Sequence, residues 1–271
     1  MSKVHAARQG FITKAALPSI TRTRGLATYN SSLMLHGDGT SGSTTITDSS
    51  NNNFTATVVG NTNINTTTKK FGTGSIYFDG TGDYLTYAAN SAFDMGAGNF
   101  TVECWIYITS LAAAREICSI NTNTASDAYC QVRLLVNTNG SMYFLSASGA
   151  TTWIPGSLTT TATGLITTNT WYHIAAVRNG NNFNLYIDGT SRLSFTSSAT
   201  LYNNNNISVI AARNSNGSYG QYMLGYIDDF RVMKGYAVYT ANFTPPTAAL
   251  ADNITTTQNI TNSVYGAYQL F

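Results

Sequence analysis

Short runs of β-branched and aromatic residues recur along this chain, each closed by a cluster of Gly, Asn, Asp or Ser, and that punctuation restricts its fold severely. Residues 31–36, 54–59, 75–78, 84–87, 101–108, 116–121 and 130–136 read as strands. So do 142–146, 171–178, 183–187, 193–196, 207–211 and 223–233, about thirteen in all. No stretch of about ten or more residues carries a 3.6-residue apolar period, which confines helix to short turns such as 92–94 and 240–243. In 101–108, Val102, Cys104, Ile106 and Ile108 fall on one face and Thr101, Glu103, Trp105 and Tyr107 on the other, so the first face is core. Asn137-Thr138-Asn139-Gly140, Asn179-Gly180-Asn181-Asn182 and Asp188-Gly189 announce hairpins, because these residues tolerate the left-handed backbone of tight turns. Sequential strands without long interruptions favour two packed antiparallel sheets: an all-β sandwich.

Charged residues make up only 10% of the 271, well below the roughly 25% of an average domain. With 43% hydrophobic and 12% aromatic residues there is nevertheless enough apolar material for a sizeable core. The charge is unevenly placed: Lys3, Arg8, Lys14, Arg22 and Arg24 all precede the first acidic residue, Asp38. The organisation expected is a basic arm (1–30), a sandwich (31–250) and an Asn/Thr-rich tail (251–271). The arm lacks the dense basic cluster of a nucleic-acid tail. Arg8, Lys14, Arg22 and Arg24, with the extended Leu17-Pro18-Ser19-Ile20, suit a peptide laid on another subunit, although the composition also matches an organelle transit peptide. No window approaches the roughly 18 apolar residues of a membrane span, and neither a nucleic acid nor a membrane is expected as partner. Cys104, Cys118 and Cys130 form no CxxC pair, and the expected state is reduced and buried; a Cys104–Cys118 bridge is the alternative.

The segments LMLHGDGT (33–40) and TDSSNNN (47–53) resemble the opening of laminin-G-like, concanavalin-fold domains. FGTGSIYFDG (71–80) with GDYL (82–85), FTVECWI (100–106), WYHIAAVR (171–178), LYIDG (185–189) and GYIDDFRV (225–232) follow in the family's order. Cys104 stands where an aromatic is more usual. The closing KGYAVYTANFTPP (234–246) is similar to the tail of the variety found in structural proteins of tailed, particularly marine, bacteriophages. That resemblance implies a virion-surface protein, a capsid decoration or a fibre or appendage subunit. Its partners would be capsid or tail subunits, further copies of itself and a host-surface glycan. A free carbohydrate-binding lectin module, or an accessory domain of a glycan-processing enzyme, is the alternative.

The fold also carries glycosidases, which need two carboxyl groups across the scissile bond. This chain has two glutamates, Glu103 and Glu116, and no ExDxE or ExDxxE strand, so no enzyme is expected. His5 lies in the arm, and His36 and His173 sit inside strand motifs, where a hydrogen-bonded structural role is expected. The resemblance implies a structural calcium between the opening strand and the IDD strand, with Asp38 and Asp228 as side-chain ligands; turn capping is the competing role. For carbohydrate, the aromatic residues in or near Gly/Asn-rich loops are Trp153, Tyr202, Tyr219 and Tyr222.

Overall fold

A computed structural model describes residues 23–122, 130–149, 152–155, 159–203, 205–215 and 217–260. Its first strands are β1 (Thr23–Asn30), β2 (Leu33–Leu35), β3 (Thr57–Val59), β4 (Asn63–Asn65), β5 (Ser75–Asp79) and β6 (Tyr84–Tyr87). After a 3-10 turn at Ser91–Phe93 come β7 (Phe100–Ile108), β8 (Arg115–Ile120), β9 (Val132–Val136), β10 (Met142–Gly149), β11 (Thr152–Ile154) and β12 (Trp171–Asn179). The remainder are β13 (Asn182–Ile187), β14 (Thr190–Thr196), β15 (Ser208–Ile210), β16 (Arg213–Ser215), β17 (Ser218–Gly220), β18 (Leu224–Lys234) and β19 (Asn253–Ile260).

Residues 28–254 form one compact unit, and the described residues 23–27 and 255–260 belong to another. In the first, one sheet runs β11-β10-β9-β8-β15-β6-β3 and the second β14-β13-β12-β7-β18-β5-β4, with β2 added against β18. Every register within the two sheets is antiparallel. The fold is thus the two-sheet sandwich that the alternation requires. In the second unit the described residues belong to the ribbon of β1 and β19. Arg8, Lys14 and Arg22 lie outside the described residues; Arg24 falls in β1, but its side chain lies outside them too.

The core is built from the inward faces of both sheets, including Val102, Cys104, Ile106 and Ile108 from β7, Leu134 and Val136 from β9, and Leu185 and Ile187 from β13. All three cysteines are buried, no disulfide joins Cys104 to Cys118, and burial pushes the thiols well above the ordinary range.

Strand β7 differs from the half-buried strand expected. Thr101, Glu103 and Trp105, on its outward face, are also buried, the first two because residues 235–250 pass back over this sheet and Trp105 because Lys70 and Phe71 lie against it. Val238 donates its N–H to the Thr101 hydroxyl (2.9 Å), and Phe243 donates to the Gly189 carbonyl (2.9 Å). The latter approach requires Gly189: a Cβ there would collide with the Phe243 carbonyl. Residues 240–243 form a bend rather than the helical turn expected: Phe243 N–H is tied to Gly189, and the bend brings Tyr239 to stack on Phe243 at 3.5 Å.

A β-bulge in β18 between Asp228 and Arg231 sets two of the IDD-motif side chains in place. Asp229, at φ 49°, is the extra residue. It turns toward the opening strand and accepts from His36 Nδ1 (2.6 Å) and Leu250 N (2.7 Å).

Candidate functional site

Each sheet carries one glutamate on its outer face, and both are tied to arginine. Glu103 Oε1 accepts from Arg231 Nε (3.0 Å) and Nη2 (2.6 Å); Oε2 faces His173 Nε2 (3.1 Å) and accepts from the Tyr239 hydroxyl (2.8 Å). Burial pushes the Glu103 carboxyl up, but the His173 hydrogen bond and the Arg231 charge outweigh it and hold its pKa at about 2. A carboxylate so held is a poor proton donor at neutral pH, and Tyr239 and Phe243 pack edge-on against its partner His173. His173 is therefore a buried structural histidine, and His36, half-buried and clamped between Asp229 and Asp252 (3.0 Å), is structural too.

Glu116 meets Arg133 in a two-pronged pair, Nε to Oε1 at 2.8 Å and Nη2 to Oε2 at 3.0 Å, with Ser119 donating to Oε1 (2.8 Å). Arg133 Nη2 also donates to Gln221 Oε1 (2.8 Å). Among the described residues no segment seals this pair. The hairpin β16–β17 folds against this outer face, and between it and strands β9–β10 runs an open groove of about 250 Å³ lined by Arg133, Leu135, Asn137, Tyr143, Leu145, Arg213 and Gln221. The alternation of β10 puts Tyr143 and Leu145 into the groove while Met142 and Phe144 enter the core. Apolar patches from Leu135 and Leu145 among guanidinium, amide and phenol groups make a surface suited to a polar ligand with apolar faces.

The aromatic residues chosen from sequence border this same outer face without converging. Tyr219 and Tyr222 pack with Tyr84 of β6, at centroid distances of 4.3 and 6.2 Å from it, and the Tyr222 hydroxyl donates to the Tyr219 carbonyl (3.0 Å). Trp153 and Tyr202 both flank Ala147 of β10, Trp153 as its strand partner and Tyr202 through an N–H donated to its carbonyl (2.8 Å). The groove residues themselves escaped sequence reasoning. The available signal was a lone arginine in the apolar run Val132-Arg133-Leu134-Leu135-Val136 of a chain poor in charge.

Asp38 and Asp228 converge on one loop. Asp38 Oδ1 accepts from the N–H groups of Thr73 and Gly74 and from the Thr73 hydroxyl, while Asp228 Oδ2 accepts from Lys70 N (2.7 Å) and Phe71 N (3.1 Å). Among the described residues no three His, Cys, Asp or Glu side chains gather as a metal-holding group, and the donor set falls short of the roughly six to eight oxygens a calcium ion takes. Asp228 Oδ1 is buried without a hydrogen-bond partner. Desolvation pushes the Asp228 carboxyl up to about 7 against the two amide hydrogen bonds.

The solved structures most similar to the sandwich include the binding domain of Paraclostridial Mosquitocidal Protein 1 (TM-score 0.58, 16% identity), matched over 78% of this chain and 50% of that one. The botulinum neurotoxin serotype G binding domain follows at TM-score 0.56 and 16% identity, over 78% and 49%. The chain therefore spans about half the length of these neighbours, and at such identity the likeness is one of fold. None of the curated proteins matches it in sequence. The family described as the concanavalin A-like lectin/glucanases superfamily (Laminin_G_3) matches residues 79–237, from the end of β5 into the segment that covers Glu103, and the chain belongs to that family.

Proposed function

We propose that this is a non-catalytic binding domain whose groove on the seven-stranded sheet takes a glycan, and that it is displayed on the surface of a phage virion. The groove carries the reading: it is open, and it joins an apolar floor to amide, phenol and guanidinium groups. Both glutamates are held by arginine, so neither is poised as a glycosidase acid. The two solved neighbours are binding domains, so binding is a use to which this fold is put. The virion role rests on the phage-like closing motif at 234–246 and on the basic arm. In that role capsid or tail subunits, and further copies of the chain, hold the arm through Arg8, Lys14, Arg22 and Arg24.

The test has two arms. On a glycan array, Tyr143→Ala and Arg213→Ala should abolish the signal of the intact chain while leaving its Tm unchanged; retained binding removes the groove from the proposal. In purified particles the chain should appear at fixed stoichiometry, and deletion of residues 1–29 should leave a folded sandwich that no longer incorporates. Absence from particles together with glycan binding would instead indicate a free lectin module.

A further inference from the structure

Among the described residues the two sheets end on four strands, and one of these is unlike the rest. β3, β4 and β11 have three residues each, whereas β14, with seven, closes the eight-stranded sheet on a long edge. Sheet edges are ordinarily guarded by shortness, a bulge, proline or charge. At its start β14 is guarded: a bulge falls opposite Leu185 and Tyr186, and Asn242 Oδ1 of the covering segment accepts from the Ser191 N–H (2.9 Å). From Leu193 to Thr196 the strand reads Leu-Ser-Phe-Thr and carries no guard.

The phase of the ladder decides which backbone groups this edge offers. Ser194, Phe195 and Thr196 pair with Asn184, Phe183 and Asn182 of β13, and the Ser197 N–H is donated to the Asn181 carbonyl (2.8 Å). Antiparallel pairs alternate between bonded and unbonded. The backbone of Phe195 therefore faces β13, while the N–H and C=O of Ser194 and Thr196 point away from the sheet. Among the described residues no backbone group meets them. On the inner face Phe195 is only partly buried, stacked on Phe183 at 4.9 Å and tilted against Phe144 at 5.5 Å. On the outer face Ser194 and Thr196 are exposed and uncharged, and Arg192 is the one charged residue of the strand.

Water satisfies such groups on many sheet edges, but this edge is also complementary to itself. From that geometry we infer that β14 is an interface between two copies of this chain, paired antiparallel about a two-fold axis at Phe195. Ser194 of each copy then lies opposite Thr196 of the other, and the two pairs exchange four backbone hydrogen bonds. Phe195 meets its own counterpart at an unbonded site, where Cα atoms approach to about 4.5 Å, so the Phe183–Phe195 stack continues into the second copy. The two Arg192 residues fall on opposite sides of the axis, about 20 Å apart and beyond the screening length of roughly 8–10 Å, so they do not oppose the pairing. The eight-stranded sheets become one sheet running through both copies. The pairing uses neither the groove nor residues 1–30, and it stands apart from the glycan reading.

Sedimentation equilibrium of the full chain over a concentration series is the test. An edge interface is small, so monomer and dimer should exchange reversibly with a Kd of about 10–100 μM. Ser194→Pro removes the outward N–H in both copies, two of the four bonds, and should weaken the dimer about tenfold at unchanged Tm. Should the proline variant unfold, Ser194→Lys combined with Thr196→Lys takes its place: it sets like charges directly opposite one another at two exposed positions and should leave only monomer. Phe195→Cys should cross-link two copies on mild oxidation while Arg192→Cys, remote from the axis, should not, with wild type as the control for the native cysteines. Monomers at every concentration would give the edge to water or to a strand of another protein and overturn the inference. So would cross-linking at Arg192 rather than Phe195. An unchanged dimer of the folded edge variants would overturn it too, and would leave the arm as the contact between copies, which separates failure of this edge from failure of the assembly reading.

Discussion

The two glutamate–arginine pairs sit on opposite outer faces of one sandwich, built from the same residue types in opposite surroundings. Glu103 and Arg231 are sealed beneath residues 235–250, and every oxygen of Glu103 meets a donor from His173, Arg231 or Tyr239. Glu116 is buried too, but its partner Arg133 forms part of a groove open to water. Burying an ion pair gives little net stability, yet breaking one leaves a charge stranded, and the penalty depends on whether that charge can reach solvent. The sealed pair is thus a structural clamp for the covering segment. The open pair fixes the guanidinium that a ligand would meet.

Glu103→Gln should therefore produce the largest effect in the molecule. Arg231 would lose its counter-charge with no route to water, at a cost of about 3–5 kcal/mol measured by urea unfolding. The same cluster governs the acid limb. Folding lowers the Glu103 pKa from 4.5 to about 2, so its stabilisation is complete above pH 4.5 and is lost as pH falls toward 2. Wild-type stability should decline across that interval, and the Gln variant should lack this part of the decline. A Gln variant as stable as wild type would show that the cluster does not clamp the segment.

The inward face of β7 could be read from its alternation, and the family motifs lay in order along the chain. The burial of Glu103 could not, because it depends on residues 235–250 returning across the sheet, a long-range contact with no local signature. Strands β4 (Asn-Ile-Asn), β16 (Arg-Asn-Ser) and β17 (Ser-Tyr-Gly) were illegible for a different reason: their residues are those of turns, and only pairing makes them strands. Aromatic residues sought in loops gave Trp153, Tyr202, Tyr219 and Tyr222, of which only Tyr219 and Tyr222 pack around a common ring, that of Tyr84. The side-by-side placement of Tyr77, Tyr226, Tyr107 and Trp171 on four adjacent strands exists only through strand register, which a sequence does not print.

The open pair should be cheaper to break. In Glu116→Gln the amide can still accept from Arg133, and the guanidinium can turn toward the groove, so the expected loss is about 1–3 kcal/mol. Unfolding curves recorded beside those of Glu103→Gln give the comparison directly. Equal losses would mean that the groove is closed in solution and that the contrast between the two faces fails.

The smallest effect is expected at a carboxylate with no basic side chain bonded to it. Asp228 accepts two amide hydrogen bonds on Oδ2 and none on Oδ1, and desolvation raises its pKa from 3.8 to about 7. Folding thus favours the protonated form. Between pH 3.8 and about 7 the folded protein holds a proton that the unfolded chain has released, so this group lowers stability as pH rises across that window and has a constant effect above it. Asp228→Asn keeps an acceptor for Lys70 and Phe71 and removes the ionisation. Its stability at pH 8 should lie within about 1 kcal/mol of wild type, and the slope between pH 4 and 7 should shrink. A structural calcium held by Asp38 and Asp228 requires the reverse: the Asn variant would melt well below wild type, and EDTA would lower the Tm of wild type without affecting the variant. Matched melting curves with and without EDTA therefore decide whether this carboxylate is a hydrogen-bonded staple for the loop at 70–74 or a metal ligand.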